Sequence, residues 1–98
     1  MQKENFIKKI QSGGSFTLTI EKKPYELVSF LDGSCPGVTL PGVDKPSKIA
    51  LSEETAEGEL KYTGYDTVEQ ILEHKTAEGY TIREQLELHG TTLERDTF

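Results

Sequence analysis

Residues 15–31 read SFTLTIEKKPYELVSFL, and this stretch restricts the chain more than any other. Phe16, Leu18 and Ile20 alternate with Thr17, Thr19 and Glu21, which is the period-two pattern of a strand with one face in a core and one in water. Lys22-Lys23-Pro24 breaks the run, and YELVSFL restarts it as a more continuously apolar strand. The pattern predicts a hairpin with a solvated, charged turn.

The segments SKIALS and GELKYTGY, set around the polar EETAEG, are two further strand candidates. In the second, Leu60, Tyr62 and Gly64 share one face, while Glu59, Lys61, Thr63 and Tyr65 share the other. With the hairpin they predict an antiparallel sheet of about four strands. Tyr62 suits the core, whereas Tyr65 and Tyr80, flanking the first C-terminal helix, suit exposure, and core and interface weigh evenly for the tyrosines.

Helical spacing flanks this sheet on both sides. In ENFIKKIQSGG, Phe6, Ile7 and Ile10 form an apolar stripe that Gly13-Gly14 stops. Residues 64–90, GYDTVEQILEHKTAEGYTIREQLELHG, hold two candidate helix starts. Asp66 is an N-cap candidate with Glu69 three residues on, and Thr81 with Glu84 repeats the capping-box spacing. Val68, Ile71 and Leu72, then Ile82 and Leu86, supply the buried stripes, and Gly79 and Gly90 stand where a left-handed residue ends each helix. The expected fold is α+β over a single domain, 1–98: an antiparallel sheet of about four strands with an N-terminal helix and a C-terminal pair of short helices covering one face.

A chain of 98 residues, 34% hydrophobic and 29% charged, has material for one modest core. A single cysteine, Cys35, excludes an intrachain disulfide and any zinc set built on a CxxC pair. No stretch approaches the ~20 apolar residues of a bilayer span, and the N-terminus lacks the apolar run of a signal peptide. A cytoplasmic location is expected.

Few residues point to chemistry. The segment 32–48, DGSCPGVTLPGVDKPSK, is rich in Gly and Pro; Pro36-Gly37 and Pro41-Gly42 suit the central pairs of type II turns flanking an extended VTL. A long loop of this kind is where a ligand or substrate site would form, which makes a small ligand-binding or enzymatic domain the rival reading. Cys35 within it has no histidine at a spacing that implies a thiolate pair, and Ser34 has no nucleophile elbow. His74 and Glu78, one helical turn apart with Glu73 nearby, make too few ligands for a metal, and His89 suits a helix C-terminus. Gly13-Gly14-Ser15 lacks the downstream Gly-Lys-Ser/Thr of a phosphate loop. The expectation is a non-enzyme without catalytic residues, metal or cofactor.

Charge gives the functional direction. The net charge of −6 divides into +2 over residues 1–48 and −8 over residues 49–98. Such a distribution disfavours phosphate backbones and favours a basic protein partner. The candidate partner-binding residues are Tyr65, Glu69, Glu73, Glu78 and Tyr80, with Glu84 and Glu87 on the following helix and Glu53, Glu54, Glu57 and Glu59 extending the acidic face, and tyrosine contributing as a common interface anchor. The expected role is protein–protein interaction, as an inhibitor, an immunity-type factor or a phage accessory protein. The phrase ILEHKTAEGYTIREQLELHG locally resembles the N-terminal winged helix of SOS-response repressors. That resemblance, over some twenty residues, implies a DNA-binding regulator built on a helix-turn-helix-like segment 66–90. It lacks the usual proline pair, and only TTLERDTF follows Gly90 where a recognition helix is needed, so no residue role is carried across.

Overall fold

The computed structural model describes residues 1–33, 36–41, 44–55, 57–76, 79–87 and 91–96. The elements run α1 (Lys3–Ser12), β1 (Gly14–Ile20), β2 (Lys23–Ser29), β3 (Ile49–Glu54), β4 (Leu60–Tyr65), α2 (Val68–Leu72), α3 (Ile82–Leu86) and β5 (Thr92–Arg95). The fold is α+β, and its sheet is antiparallel throughout with strand order β4-β3-β2-β1-β5.

Among the described residues the sheet has five strands where the sequence predicts about four. The addition is β5, which pairs Leu93 with Leu18 and Arg95 with Phe16. A four-residue edge strand carrying one buried apolar side chain leaves almost no periodic trace, so TTLERDTF reads as a tail.

The predicted hairpin forms, one residue earlier than expected. Its two-residue loop is Glu21-Lys22, with φ of 48° and 71°, and Lys23 and Pro24 already belong to β2. Positive φ at both central positions is the type I′ pattern that matches strand twist and that Asn-Gly adopts most cheaply. Pro24 is tolerated because β3 pairs with β2 only from Glu26 onward, so no ladder bond is lost at the proline.

One face of the sheet is buried. Phe16, Leu18 and Ile20 of β1, Tyr25 and Leu27 of β2, and Ile49 and Leu51 of β3 lie on it, covered by Phe6 and Ile10 of α1, Ile71 and Leu72 of α2, and Ile82 and Leu86 of α3. The helix α1 ends where the sequence predicts, with Gly13 at φ 78°. A Cβ at Gly13 would meet the Asp32 side chain, 2.7 Å from its Cβ, so glycine serves there both the turn and the close approach. On β4, Leu60, Tyr62 and Gly64 do share a face, but it is the outer one. Tyr62 is therefore 37% exposed and Leu60 59% exposed, and neither is core.

Parts of the 32–48 loop fold back on themselves. Val38 and Ser47 exchange backbone hydrogen bonds of 2.9 and 2.8 Å, and Leu40 reaches the surface of Gly64. Ser34, Cys35, Gly42 and Val43 lie outside the described residues, so the readings of Cys35, Ser34 and the Pro41-Gly42 turn are not placed.

Candidate functional site

Both C-terminal helices start on capping boxes, one of them shifted from the predicted place. Thr67, not Asp66, is the N-cap of α2; its hydroxyl accepts from the Gln70 amide, and the Gln70 side chain accepts from the Thr67 amide. The same Gln70 oxygen also takes the Asp66 amide at 2.8 Å. Threonine and glutamine meet the same requirement as the predicted aspartate and glutamate. Thr81 and Glu84 cap α3 as predicted. The hydrogen bonds from the Thr81 backbone and hydroxyl, with Lys75 adding positive charge, hold the Glu84 carboxyl below its ordinary value.

The link between the helices differs from a helix ended at Gly79. The helix α2 stops at Leu72, with Glu73 as C-cap. From there Thr76 N–H donates to the Tyr80 carbonyl at 3.0 Å, Gly79 N–H donates to Thr76 at 2.9 Å, and Ile82 N–H donates to the His74 carbonyl at 3.0 Å. Lys75 and Thr81 form an isolated antiparallel bridge. Gly79, at φ 89°, thus turns a small hairpin-like connection instead of closing α2. His89 and Gly90 lie outside the described residues, as does Glu78.

This connection turns His74 inward. Its Nδ1 is 2.6 Å from the Tyr65 hydroxyl on β4, and its Nε2 is 2.5 Å from Oε1 of Glu53 on β3. The His74 and Glu53 side chains are only 8% and 11% exposed. Both imidazole nitrogens are thereby used within the fold, while Glu78, the residue weighed with His74 as a metal pair, lies outside the described residues. Burial, and then the Glu53 charge, raise the Tyr65 hydroxyl above the usual tyrosine value. Glu53, expected from the sequence on the acidic surface, is buried instead. Its alternation with Leu51 and Ile49 places it on the inner face of β3, where a carboxylate needs a buried donor.

Of the five predicted partner-binding residues, Glu78 lies outside the described residues, and the other four divide into those held by neighbours and those that are not. Tyr65 is half-buried and tied to His74, its ring edge-on to the imidazole at a 5.7 Å centroid distance. Glu73 is exposed and paired with Arg83 at 2.8 Å. Glu69 is exposed in the first turn of α2. Tyr80 is 55% exposed and lines a shallow groove with Glu21, Glu84 and Glu87. Among the described residues no cation stands within ion-pair distance of those three carboxylates. Glu21 arrives from the β1–β2 turn, so the hairpin and α3 together build the groove, which no reading of residues 64–90 alone could contain.

The charge of the opposite, outer face is also concentrated. Thr17 donates to Asp96 Oδ1 at 2.6 Å, and Glu26 lies across the ladder from Thr17. Burial, followed by the Asp96 charge, raises the Glu26 carboxyl above its ordinary value. No helix among the described residues is long and apolar enough to cross a membrane. No protein family, curated protein or solved structure matches the chain.

Proposed function

We propose that the protein acts by binding another protein that presents a basic surface, and that the contact centres on Tyr80. The observation that carries this reading is the groove in which the exposed Tyr80 ring is flanked by Glu21, Glu84 and Glu87. An arginine or lysine laid over the ring would gain a cation–π contact while pairing with the carboxylates around it. The backbone at Glu21 supports the same reading. A non-glycine I′ turn costs free energy relative to Asn-Gly, and retained strain of this kind concentrates where side chains must be presented. The net charge of −6 would speed encounter with a basic partner.

The test is affinity capture from the source cell with the wild-type chain and with Tyr80→Ala, followed by association kinetics on the purified recovered protein. A basic partner is expected whose association slows as salt rises, and whose dissociation quickens about tenfold or more in Tyr80→Ala. Binding that ignores both salt and Tyr80→Ala rejects the reading.

A further inference from the structure

The two edges of the sheet are finished differently. Asp96 N–H donates to the Ser15 carbonyl, which continues a ladder whose bonded positions on β5 are Thr92 and Glu94; Leu93 and Arg95 therefore point their backbone groups outward. Lys9 Nζ takes the outward Leu93 carbonyl at 2.6 Å. A strand of four residues with a lysine on its free carbonyl is a blunted edge.

Among the described residues the edge at β4 has no such cover. Thr55 N–H donates to the Glu59 carbonyl at 2.7 Å, so the bonded pairs that follow along this ladder are Glu53–Lys61, Leu51–Thr63 and Ile49–Tyr65. The next ladder agrees: Phe30 N–H donates to Lys48, which assigns Ala50 and Ser52 to β2 and leaves the alternate residues of β3 for β4. Leu60, Tyr62 and Gly64 consequently direct their amides and carbonyls away from the sheet. No described residue gives or takes a hydrogen bond at these outward groups. On the outer face of the sheet the Leu60 and Tyr62 side chains are exposed, while Ser47 and Leu40 cover that face at Gly64.

We infer that β4 is a docking edge that takes an extended, basic segment of the partner as a sixth strand. The inference rests on the reading of a basic partner and adds a second place of contact with its own chemistry. Main-chain hydrogen bonds to Leu60, Tyr62 and Gly64 supply the pairing, and apolar side chains on alternate residues cover Leu60 and Tyr62. Charge selects this occupant over a second copy of the chain. Exposed Glu59 precedes the strand, and exposed Asp66 and Glu69 follow it, so a segment with a basic residue at each end meets a carboxylate at each end. A second copy brings the same carboxylates and a net charge of −6, which repels. Lys61, in the middle of the edge, calls for neutral residues at the centre of the segment.

The probe is the capped peptide Lys-Val-Thr-Val-Thr-Val-Lys, titrated into the isotope-labelled chain at low ionic strength. Amide signals of Leu60, Tyr62 and Gly64 are expected to shift, and their hydrogen exchange to slow. The peptide with glutamate in place of both lysines is expected to bind at least about tenfold more weakly. Tyr62→Pro removes one outward amide at a position where an edge strand tolerates proline, and is expected to weaken binding about tenfold or more. If that variant does not fold, the peptide N-methylated at alternate residues decides the matter, because it blocks the ladder from the other side. Shifts confined to Tyr80, Glu84 and Glu87 overturn the β4 edge while leaving the basic-partner reading intact. Self-association through β4 that strengthens as salt rises overturns it in favour of a second copy. Absence of any shift at β4 overturns it outright.

Discussion

His74 Nε2 lies 2.5 Å from Glu53 Oε1, joining the segment after α2 to the inner face of β3. An ionised carboxylate only accepts, so Nε2 donates to Glu53, and in the neutral imidazole Nδ1 then accepts from the Tyr65 hydroxyl. One proton order thus satisfies three buried or half-buried groups on three elements. His74→Ala is expected to cost about 3–5 kcal/mol, because it leaves the Glu53 carboxylate buried without its partner. Tyr65→Phe is expected to cost about 1 kcal/mol, the net worth of one hydrogen bond. Urea denaturation of both variants checks the order. Replacing Glu53 and His74 together with leucine is expected to destabilise less than His74→Ala alone.

The two capping boxes give a second expectation. Thr67→Ala and Thr81→Ala are each expected to lower stability by about 0.5–2 kcal/mol, and Asp66→Ala by clearly less, since Asp66 supplies no cap. Glu84 adds a pH signature. Its folded-state pKa is depressed, so its contribution is present above the unfolded glutamate value of about 4.3 and is lost as pH falls through the folded value. Glu84→Gln keeps an acceptor where Gln70 shows that an amide suffices, and is expected to remove that acid-range slope. Denaturation midpoints from neutral pH downward measure it.

Phe16, Leu18 and Ile20 declared their buried face because strand alternation is local, and Phe6 and Ile10 declared α1 for the same reason at helical period. The cap of α2 was misplaced by one residue because Asp66 and Thr67 both suit an N-cap, and only tertiary context chooses between them. Glu53 meets His74, and Glu21 meets the groove of Tyr80, through pairings of distant segments that no spacing encodes. Glu69 and Glu73 were legible as exposed carboxylates, but the Arg83 partner of Glu73 required the turn between α2 and α3.

The β1–β2 turn offers a test of retained strain. Glu21 and Lys22 hold φ of 48° and 71°, a region that costs ordinary residues roughly 1–2 kcal/mol each. Replacing the pair with Asn-Gly is expected to stabilise the protein by about 1 kcal/mol in thermal or urea denaturation. The same change removes one carboxylate from the groove beside Tyr80. A stabilised chain that associates more slowly with the proposed basic partner is the combined outcome expected if the turn is kept for binding.

On the outer face, Glu26 titrates in the opposite sense to Glu84. Its folded-state pKa is raised, by burial and then by Asp96, so the folded chain holds the proton more tightly. Stability from this group is greatest below the unfolded value of about 4.3 and declines as pH rises through the folded value. Glu26→Gln is therefore expected to raise the denaturation midpoint at neutral pH and to leave it nearly unchanged in acid. Asp96→Asn is expected to recover part of the same gain, because it removes the charge but not the burial.

Gly64 sits on β4 with the Ser47 side chain pressed against it. A Cβ there would overlap the Ser47 hydroxyl and stand 2.6 Å from its Cβ, with Leu40 Cδ1 at 3.3 Å. Ser47 is buried and is held by the two backbone hydrogen bonds it exchanges with Val38, so it cannot move aside without opening the loop. Gly64→Ala is expected to destabilise by about 1–3 kcal/mol, the usual range for overpacking. Ser47→Ala should not restore stability, because the Ser47 Cβ itself lies in the way, whereas Ser47→Gly should restore most of it. Denaturation of the single and paired variants separates a steric clash from a backbone requirement, and a Gly64→Ala chain as stable as the wild type would show that the loop does not rest on β4.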